Sequence, residues 1–502
     1  MITQNFAKNL AANVLINSGP QLAQIEPLRR RVVQKYEKQI LSGVERARTT
    51  PNAVPGIAED RAAMGLAILR TIERALVGNN LSKATIRAAI KILVQDQILN
   101  QGDQLAAERF RHRFGWRAPT VLLISPYKGC NLHCAGCYAD SGQATEKLAW
   151  DTVDRLITEA KSLWNARLFA ISGGEPFAYR SRSRGILDIA EKHDDSFFMV
   201  YTNGTLIDGR VAQRIARAGN LFPAISVEGW KERTDERRGQ GVFDRVLAAM
   251  SLLQANGAAF GISLTGTRYN AEEILSDEFI EFFQDQGALF GWLFQYMPIG
   301  RSFTLDLMPT PQQRVWMWQR AWEIVRTHHF FLADFWNSGT ACDGCLSAGG
   351  HGRGGYFYID WNGAVSPCVF MPYSPVNVTE VYARGGTLND VWDDPFFHAV
   401  RKWQVDYQEK LGNGLMPCPI RDHHSELRRI LIEHEPEPID EYAAAALLDP
   451  DYAQGLAEYD KTLHDLTQDI WENHYLRRNG SLTTGMDPLL DLQPLQEVTT
   501  VK

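Results

Sequence analysis

Short apolar runs alternate with amphipathic segments through the middle of this 502-residue chain. The runs have the length of buried strands, and the segments repeat apolar residues every three or four positions, as helices do. Strands that alternate with helices form parallel sheets whose chemistry lies at the carboxyl ends of the strands, so the pattern predicts an α/β fold. The predicted strands are 120–124, 168–172, 197–201, 224–227, 260–264 and 289–295, and the predicted helices are 151–164, 185–193, 208–218 and 243–256.

Residues 1–116 have a helical pattern throughout, interrupted at Pro51 and Pro55. We interpret this segment as a helical domain that packs on the α/β unit. An amphipathic surface that faces a lipid or a partner is the alternative. The apolar face of its first helix is predicted to consist of Ile25, Leu28, Val32, Tyr36, Ile40 and Val44.

Cys130, Cys134 and Cys137 lie in one loop directly after the first predicted strand. A structural zinc takes four ligands, and the other candidate in this loop, His133, has a spacing unlike that of zinc sites. A 4Fe-4S cube held by three thiolates keeps one iron open, which can bind and polarise a small molecule. The spacing therefore favours a catalytic iron-sulfur cluster, with zinc as the alternative.

Polar and glycine-rich turns follow the other predicted strands. Gly173 and Gly174 allow the backbone to approach a ligand closely, and Glu175 supplies an acceptor for an ammonium group. Hydroxyl, amide and carboxylate groups of the kind that bind ribose follow the third and fourth strands, and an arginine that could hold a carboxylate follows the fifth. These residues are Thr202, Asn203, Ser226, Glu228, Ser263 and Arg268.

Four further cysteines lie in a glycine- and aromatic-rich segment near the C-terminus: Cys342, Cys345, Cys368 and Cys418. Cys368 follows a predicted hairpin over 356–365, which has an Asn-Gly turn. Four thiolates suit one fully ligated 4Fe-4S cube or one zinc ion. We favour the cube and keep zinc as the alternative.

The composition is 45% hydrophobic and 22% charged, which is typical of a globular protein with a large core. A formal charge of −7 provides no polybasic field, so no nucleic-acid partner is expected. Seven cysteines in close-spaced groups indicate metal ligation in a reducing compartment rather than a disulfide framework. With no signal-peptide pattern and no apolar run of about 18 residues, we expect a cytoplasmic protein without a transmembrane segment.

The cysteine loop and its trailing Tyr138 resemble the signature of the radical S-adenosylmethionine (radical SAM) superfamily. The resemblance implies a partial (β/α)6 TIM-like barrel, a 4Fe-4S cluster on Cys130, Cys134 and Cys137, and SAM on the open iron. It implies that Gly173-Gly174-Glu175 hold the SAM amino group. We expect an electron donor such as flavodoxin or ferredoxin. The expected cofactor-binding residues are Tyr138, Gly173, Gly174, Glu175, Thr202, Asn203, Ser226, Glu228, Ser263 and Arg268.

The distal cysteine segment is similar to the SPASM and Twitch auxiliary domains of radical SAM enzymes, although it lacks the full seven cysteines of a SPASM domain. This implies one auxiliary 4Fe-4S cluster in a small C-terminal iron-sulfur domain. The expected organisation is a helical domain at 1–116, a radical SAM core at 117–331, the auxiliary domain at 332–430 and a helical tail at 431–502.

The resemblance implies an oxidoreductase or maturase-type enzyme that cleaves SAM to a 5'-deoxyadenosyl radical. The radical would abstract hydrogen from an unidentified organic substrate, either a peptide or protein side chain or a small molecule. One alternative is a radical enzyme for lipid acyl chains, with peripheral membrane contact through the N-terminal helices. Another is an iron-sulfur electron carrier without catalysis, which the open three-cysteine site argues against.

Overall fold

The computed structural model describes residues 17–50, 53–78, 80–94, 101–301, 303–349, 354–410 and 412–476. Strands and helices alternate from the first strand to the seventh, as the hydrophobic pattern predicts. The strands are β1 (Val121–Ile124), β2 (Leu168–Ile171), β3 (Phe197–Thr202), β4 (Leu221–Val227), β5 (Gly261–Gly266), β6 (Phe290–Gln295), β7 (Phe331–Asp334), β8 (Tyr356–Ile359), β9 (Ala364–Ser366), β10 (Tyr373–Ser374), β11 (Val376–Asn377) and β12 (Glu437–Pro438).

Ten of these strands form one sheet in the order β11-β9-β8-β1-β2-β3-β4-β5-β6-β7. Each neighbouring pair from β1 to β7 is parallel. β8 adds in parallel to the other side of β1, and β9 and β11 continue antiparallel. The edges of the sheet, β7 and β11, do not pair with each other within the described residues. The predicted α/β class and partial TIM-like barrel are confirmed.

The parallel sheet is longer than the six strands that the sequence predicts, because β7 and β8 extend it at both ends. The hairpin predicted over 356–365 is present as β8 and β9, with Gly363 at φ +85° in its turn. Since β7 spans the predicted limit at 331/332 and β8 joins the core sheet, the auxiliary segment is continuous with the barrel. The domain limits at 116, 331 and 430 stay predictions.

Helices cover the sheet, and the central strands bury their apolar side chains: Leu122, Phe169, Phe198, Ile225 and Ile262 have no exposed surface. Local signals set the ends of these helices; for example, the side chain of Asp208 accepts from Val211 N at 2.8 Å to cap a helix. The helices are Trp150–Trp164, Ile186–Lys192, Gly209–Ala218, Lys231–Arg238, Val242–Ala255, Ala271–Ile274, Asp277–Asp285 and Pro311–Thr327 in the core, and Val378–Ala383, Leu388–Trp392, Pro395–Glu409, His424–His434, Glu441–Leu448 and Pro450–Ile470 beyond it.

The N-terminal segment is helical, as predicted, with helices Glu26–Thr49, Pro55–Val77, Lys83–Val94 and Gln101–Phe114. Residues 1–16 and 95–100 of this predicted domain, and 477–502 of the predicted tail, lie outside the described residues. In the first helix Val44 is buried, whereas four residues of the predicted apolar face are between 39% and 50% exposed. These are Ile25, Leu28, Val32 and Tyr36. Among the described residues we find no helix with the length and apolar character that a membrane span requires.

Candidate active site

A cavity of about 190 Å³ lies at the carboxyl ends of the parallel strands. The expected cysteine loop and most of the expected cofactor-binding residues line it, although they come from five different strand ends. Those that line it are Cys130, Cys134, Cys137, Tyr138, Gly173, Gly174, Thr202, Asn203, Ser226 and Ser263. Glu175, Glu228 and Arg268 do not line it.

The cysteine loop is held by backbone contacts and by Arg301, which sequence reasoning missed. Cys130 N donates to Gly142 O at 2.7 Å, and Asn203 Nδ2 lies 3.7 Å from Cys130 Sγ. Arg301 Nη1 donates to Cys134 O at 3.0 Å, and its backbone N–H donates to Cys137 O at 3.1 Å. Arg301 follows β6, more than 160 residues beyond the loop, and no local motif marks it.

Gly173 and Gly174 pack against the backbone that leads into the cysteine loop. Gly174 N donates to Tyr127 O at 2.9 Å, and Gly173 has φ +117°. A Cβ on Gly174 would lie 2.1 Å from Gly129 O, so this turn admits only glycine. The glycine turn and the cysteine loop therefore form one unit.

Glu175 is fully buried behind this turn, and its carboxylate accepts three hydrogen bonds from the protein. The donors are Phe177 N at 3.0 Å, Thr202 Oγ1 at 2.7 Å and Asn203 N at 2.8 Å. Burial raises the pKa of Glu175, and these hydrogen bonds oppose that effect. A carboxylate has about four acceptor positions, and the protein fills three of them in Glu175.

Glu228 lies beside the cavity and is paired with two arginines that do line it, Arg237 and Arg238. Arg238 Nε donates to Glu228 Oε1 at 2.8 Å, and Arg237 Nε donates to Ala135 O in the cysteine loop at 3.2 Å. Arg237 and Arg238 are adjacent in the sequence, but only the fold places them at the same cavity as the three cysteines.

Arg268 follows β5 without lining this cavity, and its Nε donates to Met308 O at 3.2 Å. The apolar part of the cavity wall was not predicted, and it includes side chains that follow Cys368. Phe370, in the segment after β9, packs on Tyr138 beside the cysteine loop with a centroid distance of 5.9 Å. The apolar residues of the wall include Leu123, Tyr201, Phe294, Phe335, Val369 and Phe370.

The chemistry of these donors fits a 4Fe-4S cluster with SAM. Burial raises the pKa of Cys130 to about 11, and burial raises the pKa of Cys134 against the opposing effect of Arg238. Burial thus favours the neutral form of both thiols, and a bound iron would have to displace their protons. In the described part of the chain, no three cysteine, histidine or carboxylate side chains lie close enough together to hold a single metal ion.

The distal cysteines lie in the auxiliary segment, and all seven cysteines are free thiols. Burial, then Asp422 and Cys345, raise the pKa of Cys418 to about 12, and burial and Cys345 raise the pKa of Cys368. Ala348 N, three residues after Cys345, donates to Pro367 O, next to Cys368, at 2.8 Å, so these two cysteine segments are in contact. Cys342 ends the turn Gly339–Cys342 in the same loop as Cys345.

A partial parallel barrel that brings a three-thiol loop and a glycine turn to one cavity is the arrangement of a radical SAM enzyme. Residues 124–278 match the sequence family described as the radical SAM superfamily. The chain therefore contains a radical SAM domain over residues 124–278, and this family uses a 4Fe-4S cluster and SAM.

Two proteins of Methanosarcina barkeri are among the sequence relatives. An AdoMet-dependent heme synthase of Methanosarcina barkeri is 26% identical over 301 residues, which cover 55% of this chain and 83% of that protein. An Fe-coproporphyrin III synthase of the same organism is 29% identical over 157 residues, 31% of this chain and 39% of that protein.

A solved structure shares the fold. Streptococcus suis SuiB, crystallised with its precursor peptide SuiA, superposes with a TM-score of 0.51 and 17% identity, over 68% of this chain and 80% of SuiB.

Proposed function

We propose that this protein cleaves SAM reductively and abstracts a hydrogen atom from an organic substrate. The observation that carries the proposal is that Cys130, Cys134 and Cys137 line one cavity with Gly173 and Gly174. A bound 4Fe-4S cluster would supply one electron to SAM, which yields methionine and a 5'-deoxyadenosyl radical.

The residues around the cavity have distinct parts in this proposal. Gly173 and Gly174 let the backbone approach the methionine end of SAM, and Glu175 would accept from its amino group through the remaining acceptor position. Asn203, Ser226 and Ser263 offer polar groups at neighbouring strand ends. They would hydrogen-bond the ribose and the carboxylate of SAM.

Exclusion of water is the second requirement of radical chemistry, because an unshielded radical reacts with whatever reaches it. Tyr201, Phe294, Phe335 and Phe370 form the apolar side of the cavity. Phe370 packs on the ring of Tyr138, beside the cysteine loop, with a centroid distance of 5.9 Å. The auxiliary segment thus contributes Phe370 to the apolar side of the cavity.

We also propose that Cys342, Cys345, Cys368 and Cys418 hold the auxiliary 4Fe-4S cluster, with an electron-transfer role. The number of thiols supports this proposal, because four cysteines are the usual ligand set of one 4Fe-4S cube, and one zinc ion is the alternative. We also propose that the protein is located in the reducing cytoplasm. An electron donor such as flavodoxin or ferredoxin would supply its clusters with electrons.

The substrate class rests on the sequence relatives alone. The two relatives are a heme synthase and an Fe-coproporphyrin III synthase, so a tetrapyrrole is the first small molecule to test. The same test of SAM-dependent product formation is run with peptide and protein substrates for comparison. Lipid vesicles are the third class of substrate to test.

SAM cleavage tests the main proposal. Anaerobically reconstituted protein with dithionite is expected to release 5'-deoxyadenosine, and the variant with Cys130, Cys134 and Cys137 all changed to alanine is expected to release none. His133→Ala is the matched control in the same loop, where the side chain is exposed, and it should cleave SAM normally. Equal release by wild type and triple variant would refute the proposal, and S-adenosylhomocysteine as product would replace it with methyl transfer.

A further inference from the structure

The N-terminal helix Pro55–Val77 contacts the loop that carries Cys342 and Cys345. Asp60 Oδ2 accepts from Thr340 Oγ1 at 2.7 Å, and Arg61 Nε donates to Ala341 O at 3.1 Å. The guanidinium of Arg61 also pairs with the carboxylate of Asp343. Two consecutive helix residues therefore bind three residues of the cysteine loop: Thr340, Ala341 and Asp343.

Asp60 is a junction of the fold rather than a surface carboxylate, since it is only 1% exposed. Its other oxygen accepts from Arg326 Nη2 at 3.0 Å, and Oδ2 also accepts from Tyr475 OH at 2.7 Å. A buried carboxylate is costly unless donors surround it, and here three different segments of the chain supply them. These segments are the core helix Pro311–Thr327, the cysteine loop and the C-terminal turn Trp471–Tyr475.

The helix cannot shift easily at this junction, because Gly56 packs against Tyr475 without space for a side chain. A Cβ on Gly56 would lie 2.9 Å from the ring of Tyr475 and 3.0 Å from its Cα. This close contact fixes Asp60 and Arg61, which follow Gly56 by one helical turn, relative to the loop.

The opposite side of the loop rests on the helix Pro395–Glu409. Gln408 Nε2 donates to Asp343 O, and Gln404 Nε2 donates to Ser347 Oγ at 2.8 Å. Ser347 Oγ in turn lies 3.2 Å from Cys345 Sγ. The loop is therefore held between one helix from the N-terminal segment and one from the auxiliary segment.

We propose that the N-terminal helical segment positions the auxiliary cysteine loop, with Asp60 and Arg61 as the positioning residues. They hold Cys342 and Cys345 in place to meet Cys368 and Cys418, so that four thiolates from distant parts of the chain are ready to receive one cluster. This inference rests on the auxiliary cluster of the proposed function, and it gives the N-terminal domain a defined role.

The test measures the auxiliary cluster alone, in full-length protein whose Cys130, Cys134 and Cys137 are alanine. Iron content, the electron paramagnetic resonance spectrum, the midpoint potential and the rate of iron loss to a chelator are compared for Asp60→Ala, Arg61→Ala and Arg61→Lys. Arg61→Ala and Asp60→Ala are expected to lose iron about tenfold faster and to shift the spectrum and the potential, as partners that orient metal ligands do. Arg61→Lys keeps the charge and is expected to restore part of the wild-type rate.

Arg70→Ala is the matched control, because Arg70 lies on the same helix but pairs with Glu37 and Glu73, away from the cysteine loop. It should leave all four readouts unchanged. Arg61→Ala protein that is folded by circular dichroism and has the spectrum and chelation rate of its parent overturns the positioning role. If the parent binds no iron at all, the auxiliary cluster itself is refuted, and the inference falls with it.

Discussion

Arg314 and Asp422 form a buried ion pair that ties the core helix Pro311–Thr327 to the segment beside Cys418. Arg314 Nη2 donates to Asp422 Oδ2 at 2.9 Å, and both side chains are 1% exposed or less. The same carboxylate oxygen accepts from Cys418 N at 3.1 Å. One carboxylate therefore joins the radical SAM core to a predicted ligand of the auxiliary cluster.

We expect Asp422→Ala to lower the free energy of unfolding by about 3 to 5 kcal/mol, because it leaves Arg314 charged and buried without its partner. Urea unfolding of the full chain measures the change. Asp406→Ala is the control, since Asp406 pairs with Lys402 on the surface and such pairs contribute about 1 kcal/mol or less. A loss for Asp422→Ala no larger than that of the control would contradict the prediction.

Glu175→Gln is expected to lower both the free energy of unfolding and the affinity for SAM. The glutamine amide would direct its own N–H groups at backbone N–H donors of Phe177 or Asn203, which costs about 1 to 3 kcal/mol. SAM affinity should fall by about 1 to 3 kcal/mol as well, while iron content stays the same. Thermal unfolding and equilibrium dialysis provide the two measurements.

Glu433→Gln is the control for Glu175, because Glu433 pairs with Arg429 on the surface, away from the cavity, and such pairs contribute about 1 kcal/mol or less. We expect a smaller loss of stability and nearly unchanged SAM affinity. Unaltered SAM affinity in Glu175→Gln would show that the carboxylate does not take part in SAM binding.

His424 should make the protein sensitive to acid. Burial lowers the pKa of His424 from 6.5 to about 4, and its Nδ1 lies 3.0 Å from Ile420 O. The folded state therefore favours neutral imidazole, so this stabilisation is present above pH 6.5 and is lost as pH falls from 6.5 through 4. The loss is up to about 3 kcal/mol.

Urea unfolding at a series of pH values checks the effect of His424. The free energy of unfolding of His424→Gln should change less with pH than that of wild type between pH 6.5 and 4. The His464 side chain is exposed, so the free energy of unfolding of His464→Gln should follow wild type. Parallel profiles for wild type and His424→Gln would exclude a contribution from His424.

Iron and zinc analysis tests the auxiliary site. About eight irons per chain are expected in reconstituted wild type, falling to about four when Cys342, Cys345, Cys368 and Cys418 are all replaced by alanine. About four irons and one zinc in the wild type would instead make the auxiliary domain a structural zinc module.

Local patterns in the sequence predicted much of this protein. Cys130, Cys134 and Cys137 lie within eight residues, and the glycine turn at Gly173 comes shortly after a strand. Both can therefore be recognised from the sequence alone. The strands β1 to β6 were predicted because a buried strand needs a continuous apolar run. Such features are determined by residues that are close together in the sequence, so they can be predicted without knowing the fold.

Only the tertiary structure decided which distant residues meet. The pairing of β8 with β1, the contact of Arg301 with the cysteine loop, and the contact of Asp60 with Thr340 join residues more than 150 positions apart. The partner of a parallel strand or of a buried polar side chain can lie almost anywhere in the sequence, because closing a longer loop costs little additional entropy. Local sequence patterns therefore do not identify it. The sequence therefore determined the chemistry of the cysteine loop and its strand, and the folded chain decided what surrounds them.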